Sequence, residues 1–162
     1  MSLTDLSSVL WRSRELLELL LFKLEEEQLI LAAGRSRWLA HATREVEVVL
    51  DQIRQTEVAR AAYSQDAADD LGLRPDATLG ELADAAAAPW PDLLRQHREA
   101  FLTLTAEISE LAEANRDLAT AGQLAARQTM RAFAATVDQR GVRRLTLVTG
   151  TPSPPSLIDY LQ

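Results

Sequence analysis

The stretch of sequence that decides the fold is residues 91–141, PDLLRQHREAFLTLTAEISELAEANRDLATAGQLAARQTMRAFAATVDQRG. Pro91 suits the first turn of a helix, where its missing N–H costs no hydrogen bond, and the next proline along the chain is Pro152. We therefore predict one continuous helix over 91–140 that ends at Gly141. Spacings of three, four and seven residues set one largely apolar stripe along its first half: Leu94, Phe101, Leu104, Ile108, Leu111, Asn115 and Leu118. Such a stripe predicts packing against other helices.

The second half of this helix carries a different pattern. Small residues blur the register around Gly122, and larger side chains resume at Met130, Phe133 and Val137 on what we predict to be a shifted face. We therefore expect the second half to contribute less to the core. At 1.5 Å per residue the helix is about 73 Å long, against about 45 Å for each of the two long helices before it. About twenty residues must then overhang, bend or fold back, with Gly122 as the expected point of change.

Two long helices precede this stretch, over about 4–33 and 36–70. Leucines occupy heptad a and d positions of the first helix, with Ser13 and Glu27 as polar interruptions: Leu3, Leu6, Leu10, Leu17, Leu20, Leu24 and Leu31. The second helix directs its own apolar set inward: Leu39, Ala42, Val46, Val49, Leu50 and Ile53. Gly34 suits the left-handed position after a helix. A connection this short makes the two helices antiparallel neighbours.

A short helix and a tail complete the predicted organisation. Thr78 and Glu81 form a capping-box pattern that opens a helix over 79–88. The predicted fold class is all-α: an elongated, coiled-coil-like three-helix bundle built from an antiparallel hairpin and the long C-terminal helix, with one short extra helix. Residues 1–141 are the bundle domain, and residues 142–162 are a flexible tail whose TPSPPS segment cannot be helical.

Composition narrows the class of function. The chain has 162 residues, enough for one domain, and its formal net charge of −7 disfavours nucleic acid or an anionic membrane surface as a partner. It contains no run of eighteen apolar residues, and its first residues lack the pattern of a signal peptide, so no membrane insertion is expected. It contains no cysteine, which excludes disulfides and thiolate chemistry. These observations predict a cytoplasmic protein.

A search for residues that could carry chemistry finds no catalytic, cofactor or metal site. His41 and Glu45 lie one helical turn apart, but the Glu-x-x-His pairs of di-iron bundles are missing. We expect His97, which has charged neighbours in sequence, to be a surface histidine. The run Glu25 to Glu27 is interpreted as a solvated helix face, with recognition of a basic partner as the lesser alternative. Phosphate loops, serine elbows and zinc spacings are also missing from the sequence. An enzyme is therefore not predicted.

Three segments, in their order along the chain, carry a resemblance to a known family. They are LLELLLFKLEEEQLILAAGRSRWL at 16–39, REVEVVLDQIRQTEVAR at 44–60 and LAEANRDL at 111–118. With these segments the chain resembles the FlgN family of flagellar type III export chaperones over most of its length. The resemblance implies a cytoplasmic helical protein that binds the C-terminal helices of hook-filament junction (hook-associated) proteins, prevents their premature assembly and delivers them to the flagellar export gate.

The resemblance also implies where the client binds. Family members hold their client through the end of the last helix and the residues after it, which here means from about Gly122 onward. The apolar residues of that region form the predicted client-binding set: Leu124, Met130, Phe133, Val137, Leu145, Leu147 and Val148. Tyr160, the one tyrosine after the long helix, is the predicted residue for docking at the export gate. The alternative is a structural coiled-coil protein that associates with itself, and the sequence leaves weak homo-oligomerisation open.

Overall fold

The computed structural model describes residues 2–139, and the side chains of residues 2–135. This part of the chain is four helices without a strand: α1 (Ser2–Ala32), α2 (Ser36–Asp70), α3 (Leu79–Ala85) and α4 (Trp90–Gln139). The all-α prediction is therefore confirmed. The predicted tail, 142–162, lies outside the described residues, so its boundary with the bundle stays a prediction.

Glycine and proline set the ends of the helices. Gly34 has a φ of 65°, the left-handed conformation predicted after α1, and its N–H donates to the Leu31 carbonyl at 3.1 Å. The α3 helix ends at Ala85, three residues before the predicted end, and Ala86 is extended (ψ 152°). Pro89 disfavours helical backbone at Ala88, the residue before it, which explains why Ala88 is not helical. Nothing in the structure explains the earlier end at Ala85.

Two buried clusters establish the directions of the helices. The first cluster, at the start of α1, contains Leu6, Leu10, Ala67, Ala68, Leu82, Ala83 and Leu94. The second cluster, near the end of α1, contains Leu20, Leu24, Val46, Val49, Leu50, Ile108 and Ala112. From the first cluster to the second, residue numbers fall along α2 and rise along α4. The α2 helix is therefore antiparallel to α1, and α4 runs parallel to it.

The α1 helix is the centre of the bundle, because it packs along both α2 and α4. Over the middle of α1, a groove of about 340 Å³ lies between the other two long helices and is lined by Leu17, Ile53 and Phe101, among others. The short α3 helix closes the first cluster against α4. Its capping box is present: the Glu81 N–H donates to the Thr78 hydroxyl at 3.2 Å, and the Thr78 N–H donates to the Glu81 carboxylate at 2.7 Å. The Thr78 backbone hydrogen bond also lowers the pKa of Glu81.

The α4 helix continues well past the end of α1. Asn115 donates a hydrogen bond to the Leu24 carbonyl at 2.8 Å, which aligns the two helices, and α1 then ends at Ala32. This alignment places the end of α1 close to Gly122 of α4. From there α4 runs to Gln139 without a break, a further length of about 25 Å. Of the three ways to accommodate the excess length, the chain adopts the overhang.

Candidate functional site

The predicted client-binding residues begin in the part of α4 that projects beyond the bundle, residues 120–139, here called the terminal segment. Every described side chain of this segment is exposed. Leu124 is 56% exposed, Met130 45% and Phe133 59%. The backbone of Val137 is helical, so the helical repeat gives the direction of this residue around the axis of α4.

The larger apolar residues of the terminal segment continue the side of α4 that is buried in the bundle. At about 100° per residue, Met130, Phe133 and Val137 fall within about 40° of the mean direction of the buried α4 positions. Those buried positions are Leu94, His97, Ile108, Ala112 and Asn115. The prediction of a shifted face is therefore wrong.

Small residues in the middle of the stripe hide from the sequence pattern that the same side of α4 continues. Three- and four-residue spacings run on from Asn115 through small seam residues to the larger ones: Ala119, Gly122, Ala126, Met130, Phe133 and Val137. Alanine and glycine give little hydrophobic signal, but their spacing could have identified the seam. We call the part of this stripe from Gly122 onward, Gly122, Ala126, Met130, Phe133 and Val137, the terminal face.

Leu124 does not share the terminal face. It lies about 180° around the helix from Phe133, on the side that also carries Arg131. The structure thus brings Met130, Phe133 and Val137 together and separates Leu124 from them. The remaining predicted residues lie outside the described part of the chain and stay predictions: Leu145, Leu147, Val148 and Tyr160.

Two buried polar residues lie near the base of the terminal segment. Asn115 is 1% exposed and uses its amide nitrogen in the hydrogen bond to the Leu24 carbonyl. Glu27, one turn further along α1, is 3% exposed, and burial raises the pKa of its carboxyl group to about 7. The interpretation of Glu25 to Glu27 as a solvated face is therefore wrong for Glu27, although Glu25 is exposed. The heptad position of Glu27 decides its burial, because that position faces the core whatever residue occupies it.

His97 is a core residue, not the predicted surface histidine. Its side chain is 0% exposed, and its ring forms a T-shaped contact with Trp11 at a centroid distance of 4.9 Å and stacks with Phe101 at 6.3 Å. Burial, together with the nearby charge of Arg14, lowers the pKa of His97. The signal that could have found this burial is spacing, since His97 lies three residues after Leu94 and four before Phe101.

His41, in contrast, is exposed at the surface as predicted, and its Nε2 lies 3.5 Å from Glu45. Glu45 also accepts a 2.8 Å hydrogen bond from Lys23, which lowers the pKa of Glu45. Among residues 2–139, no group of three or more His, Asp or Glu side chains is placed to hold a metal ion. Within the same part of the chain, no helix combines the length and the apolar character needed to cross a membrane.

Comparison with known proteins identifies the family. A sequence model of the FlgN family, described as FlgN protein, matches residues 1–142, a range that includes α1, α2, α3 and α4. No curated protein and no solved structure gives a significant match. The match spans well over half of the 162 residues and contains both the bundle and the terminal face. The chain therefore belongs to the FlgN family, whose members are flagellar export chaperones.

Proposed function

We propose that this protein is a cytoplasmic chaperone of flagellar type III export that binds the C-terminal helical segments of hook-filament junction proteins. It keeps these proteins from premature assembly and delivers them to the export gate. Membership of the FlgN family supports the general role. The terminal face supports the mode of client binding.

The observation that carries this proposal is a packing face that continues beyond the helix that covers it. Leu94 and Ile108 on this side of α4 are buried in the bundle, whereas Met130 and Phe133 on the same side are exposed. A helix face of this kind can accept an amphipathic helix from another protein. Such docking requires neither a cofactor nor ATP.

The chemistry of the client fits this face. Junction proteins bury their terminal helices against neighbours in the assembled filament, so before assembly those helices expose apolar surface that promotes aggregation. Met130 and Phe133 suit a chaperone surface, because methionine adapts its shape to a partner and phenylalanine offers a large apolar area. Covering the client helix with this face prevents its premature pairing.

Calorimetry with C-terminal segments of junction proteins tests the proposed site. We expect Phe133→Ala to weaken client binding by about 1–3 kcal/mol if Phe133 is a hot spot. Leu102→Ala is the matched control, because Leu102 is 55% exposed on the bundle part of α4 and lies away from the terminal face. Deletion of residues 122–162 is expected to abolish binding while circular dichroism still reports a folded helical bundle. Unchanged client affinity after this deletion would show that the site is elsewhere.

A second candidate function is a structural coiled-coil protein that associates with itself through the same exposed face. Sedimentation equilibrium distinguishes the two functions. Self-association predicts an average mass that rises with protein concentration and returns to that of the monomer in Phe133→Ala. Added junction-protein segments would leave this mass unchanged. A chaperone predicts a defined complex with one of those segments.

Tyr160 is proposed to serve docking at the export gate, separately from client binding. Tyr160→Ala is then expected to reduce export in cells while client affinity and melting temperature stay unchanged, because the client face is intact. A lower melting temperature in this variant would instead assign Tyr160 to the stability of the fold. Tyr63→Ala, at the exposed tyrosine of α2, provides the control for loss of a tyrosine.

A further inference from the structure

The charge of the terminal segment differs from that of the rest of the chain. Residues 118–137 contain no acidic side chain, and their two charged residues, Arg127 and Arg131, are exposed. In sequence, residues 127–144 hold five arginines and one acid, whereas residues 1–126 hold 12 basic and 22 acidic side chains. A basic end is thus attached to an acidic bundle. Among the described residues, neither Arg127 nor Arg131 takes part in an ion pair.

Geometry determines where a partner helix lies on the terminal face. This face extends the side of α4 that packs on α1, and α1 ends at Ala32, close to the level of Gly122. A helix that covers the terminal face therefore occupies the line that α1 would follow if it were longer. Gly122 and Ala126 permit a close approach next to α1, and a Cβ built on Gly122 meets no atom within 4 Å. The larger Met130 and Phe133 contact the partner further out.

We propose that the terminal face binds an acidic amphipathic helix, which lies end to end with α1 and directs its carboxylates towards Arg127 at the flank of the face. This inference rests on the proposed client-binding role of the face and adds the chemical character of the client. Arg127 lies about 100° around the helix from the middle of the face, so its long side chain can reach the edge of a helix packed there. Arg131 lies further round, beside Leu124, and adds positive charge to the segment.

Charge also selects against other occupants. A second copy of the chain that met the first through the same face would bring arginines against arginines. An acidic helix is repelled along the bundle, where acidic residues outnumber basic ones, and attracted only at its end. The partner is therefore directed to the terminal face before apolar contacts form.

Two synthetic peptides test the charge preference without knowledge of the natural client. Both carry the same leucine seam, and one has glutamate at its flanking positions where the other has lysine. By fluorescence anisotropy with the full chain at low salt, we expect the glutamate peptide to bind about three- to tenfold tighter, a preference that shrinks at high salt. The double variant Arg127→Glu/Arg131→Glu is expected to reverse the preference. The double variant Arg98→Glu/Arg116→Glu, on the same flank within the bundle part of α4, is expected to retain it.

The position of the partner next to α1 is tested by added bulk. Gly122→Leu should weaken binding of the glutamate peptide about tenfold or more, because a large side chain prevents the close approach. Ala121→Leu, on the opposite side of α4, should leave the affinity unchanged. Equal effects of the two substitutions overturn the placement of the partner on the line of α1.

The outcomes separate this inference from the proposed function. Equal binding of the two peptides, or an unaltered preference after reversal of Arg127 and Arg131, overturns the inference. It is also overturned if junction-protein segments bind the full chain and are indifferent to that reversal, a result that leaves the chaperone function intact. If those segments fail to bind while the glutamate preference is present, the chaperone function fails and the preference for acidic helices stands. Arginine-dependent binding to anionic phospholipid vesicles, without preference between the peptides, assigns the arginines to a lipid surface and overturns the inference.

Discussion

Glu27 and His97 are ionisable side chains at positions of α1 and α4 that face the core. Their residue types indicated solvent, whereas their spacing from Leu24 and Leu94 indicated burial, and burial prevailed. The reason is that a helix has no freedom to turn one residue outward while its neighbours on the same side pack inward. The cost appears in the pKa values: burial disfavours the charged form, so it raises the pKa of Glu27 and lowers that of His97.

Burial of Glu27 makes the stability of the folded chain depend on pH. Its pKa is about 7 in the folded chain against the ordinary value of 4.5, so between these two pH values the folded state holds a proton that the unfolded state has lost. Stability therefore falls as pH rises through this window and is level above it, a loss of up to about 3 kcal/mol. Glu27→Gln removes this loss. We expect its melting temperature to exceed that of the parent increasingly from pH 4.5 to 7.

Comparison of Glu27→Gln with the parent protein at each pH isolates the contribution of Glu27, because both proteins contain His97. His97 has the opposite effect, since its lowered pKa makes the folded state lose stability as pH falls below its ordinary value of 6.5. Glu25→Gln, at an exposed position of the same run, serves as the control and should show no such trend. A Glu27→Gln difference that is constant with pH would mean that the pKa of Glu27 is the same in the folded and the unfolded chain.

At the scale of elements, the two halves of α4 differ in the interactions that stabilise them. The half before Leu118 is packed into the bundle, where Ile108 and Ala112 are buried. The described side chains of the terminal segment are all exposed, and the Thr129 hydroxyl donates to the Ala125 carbonyl within the same segment. Isolated helices of this length are marginal in water, so tertiary packing decides which half is stable. Sequence predicted one continuous helix and the excess length correctly, since proline placement and rise per residue are local properties.

Hydrogen exchange on the free protein tests this division. We expect amides after Gly122 to exchange faster than amides before Leu118, because the terminal segment opens without disturbing the core. Gly122→Ala should slow exchange in the terminal segment by favouring helix by about 0.5–1 kcal/mol, and the added methyl group meets nothing within 4 Å. Uniform protection along all of α4 in the parent protein would contradict the division.

At the scale of the whole molecule, α1 holds the fold together. Among the described helices it is the one that packs extensively along two other long helices, so damage to its buried side affects α2 and α4 at once. The core-facing side of α1 is not buried evenly, however. Leu20 is 1% exposed inside the second cluster, whereas Leu17 is only half-buried and lines the groove between α2 and α4. The heptad pattern assigns both leucines to the seam and cannot distinguish them.

Aspartate substitutions in α1 test this difference by thermal melting. Leu20→Asp should unfold the protein, because an unpaired buried carboxylate costs several kcal/mol against a total stability of about 5–15 kcal/mol. Leu17→Asp should be milder, since the groove admits water to the carboxylate. Leu19→Asp, at a position 38% exposed, should be nearly neutral. Equal melting temperatures for the Leu20 and Leu19 variants would show that the assignment of the core side of α1 is wrong.

The sequence by itself determined the elements of this protein: the three long helices, the start of the short one, the antiparallel hairpin and the capping box at Thr78. These follow from local causes, namely hydrophobic period, glycine and proline conformation, and short connections. Tertiary structure decided which seam positions find a partner. The same side of α4 is buried at Asn115 and exposed at Phe133, although the spacing continues unchanged between them. The physical reason is that periodicity specifies the side of a helix, whereas burial at a given level requires a neighbouring helix that extends that far, and α1 ends at Ala32.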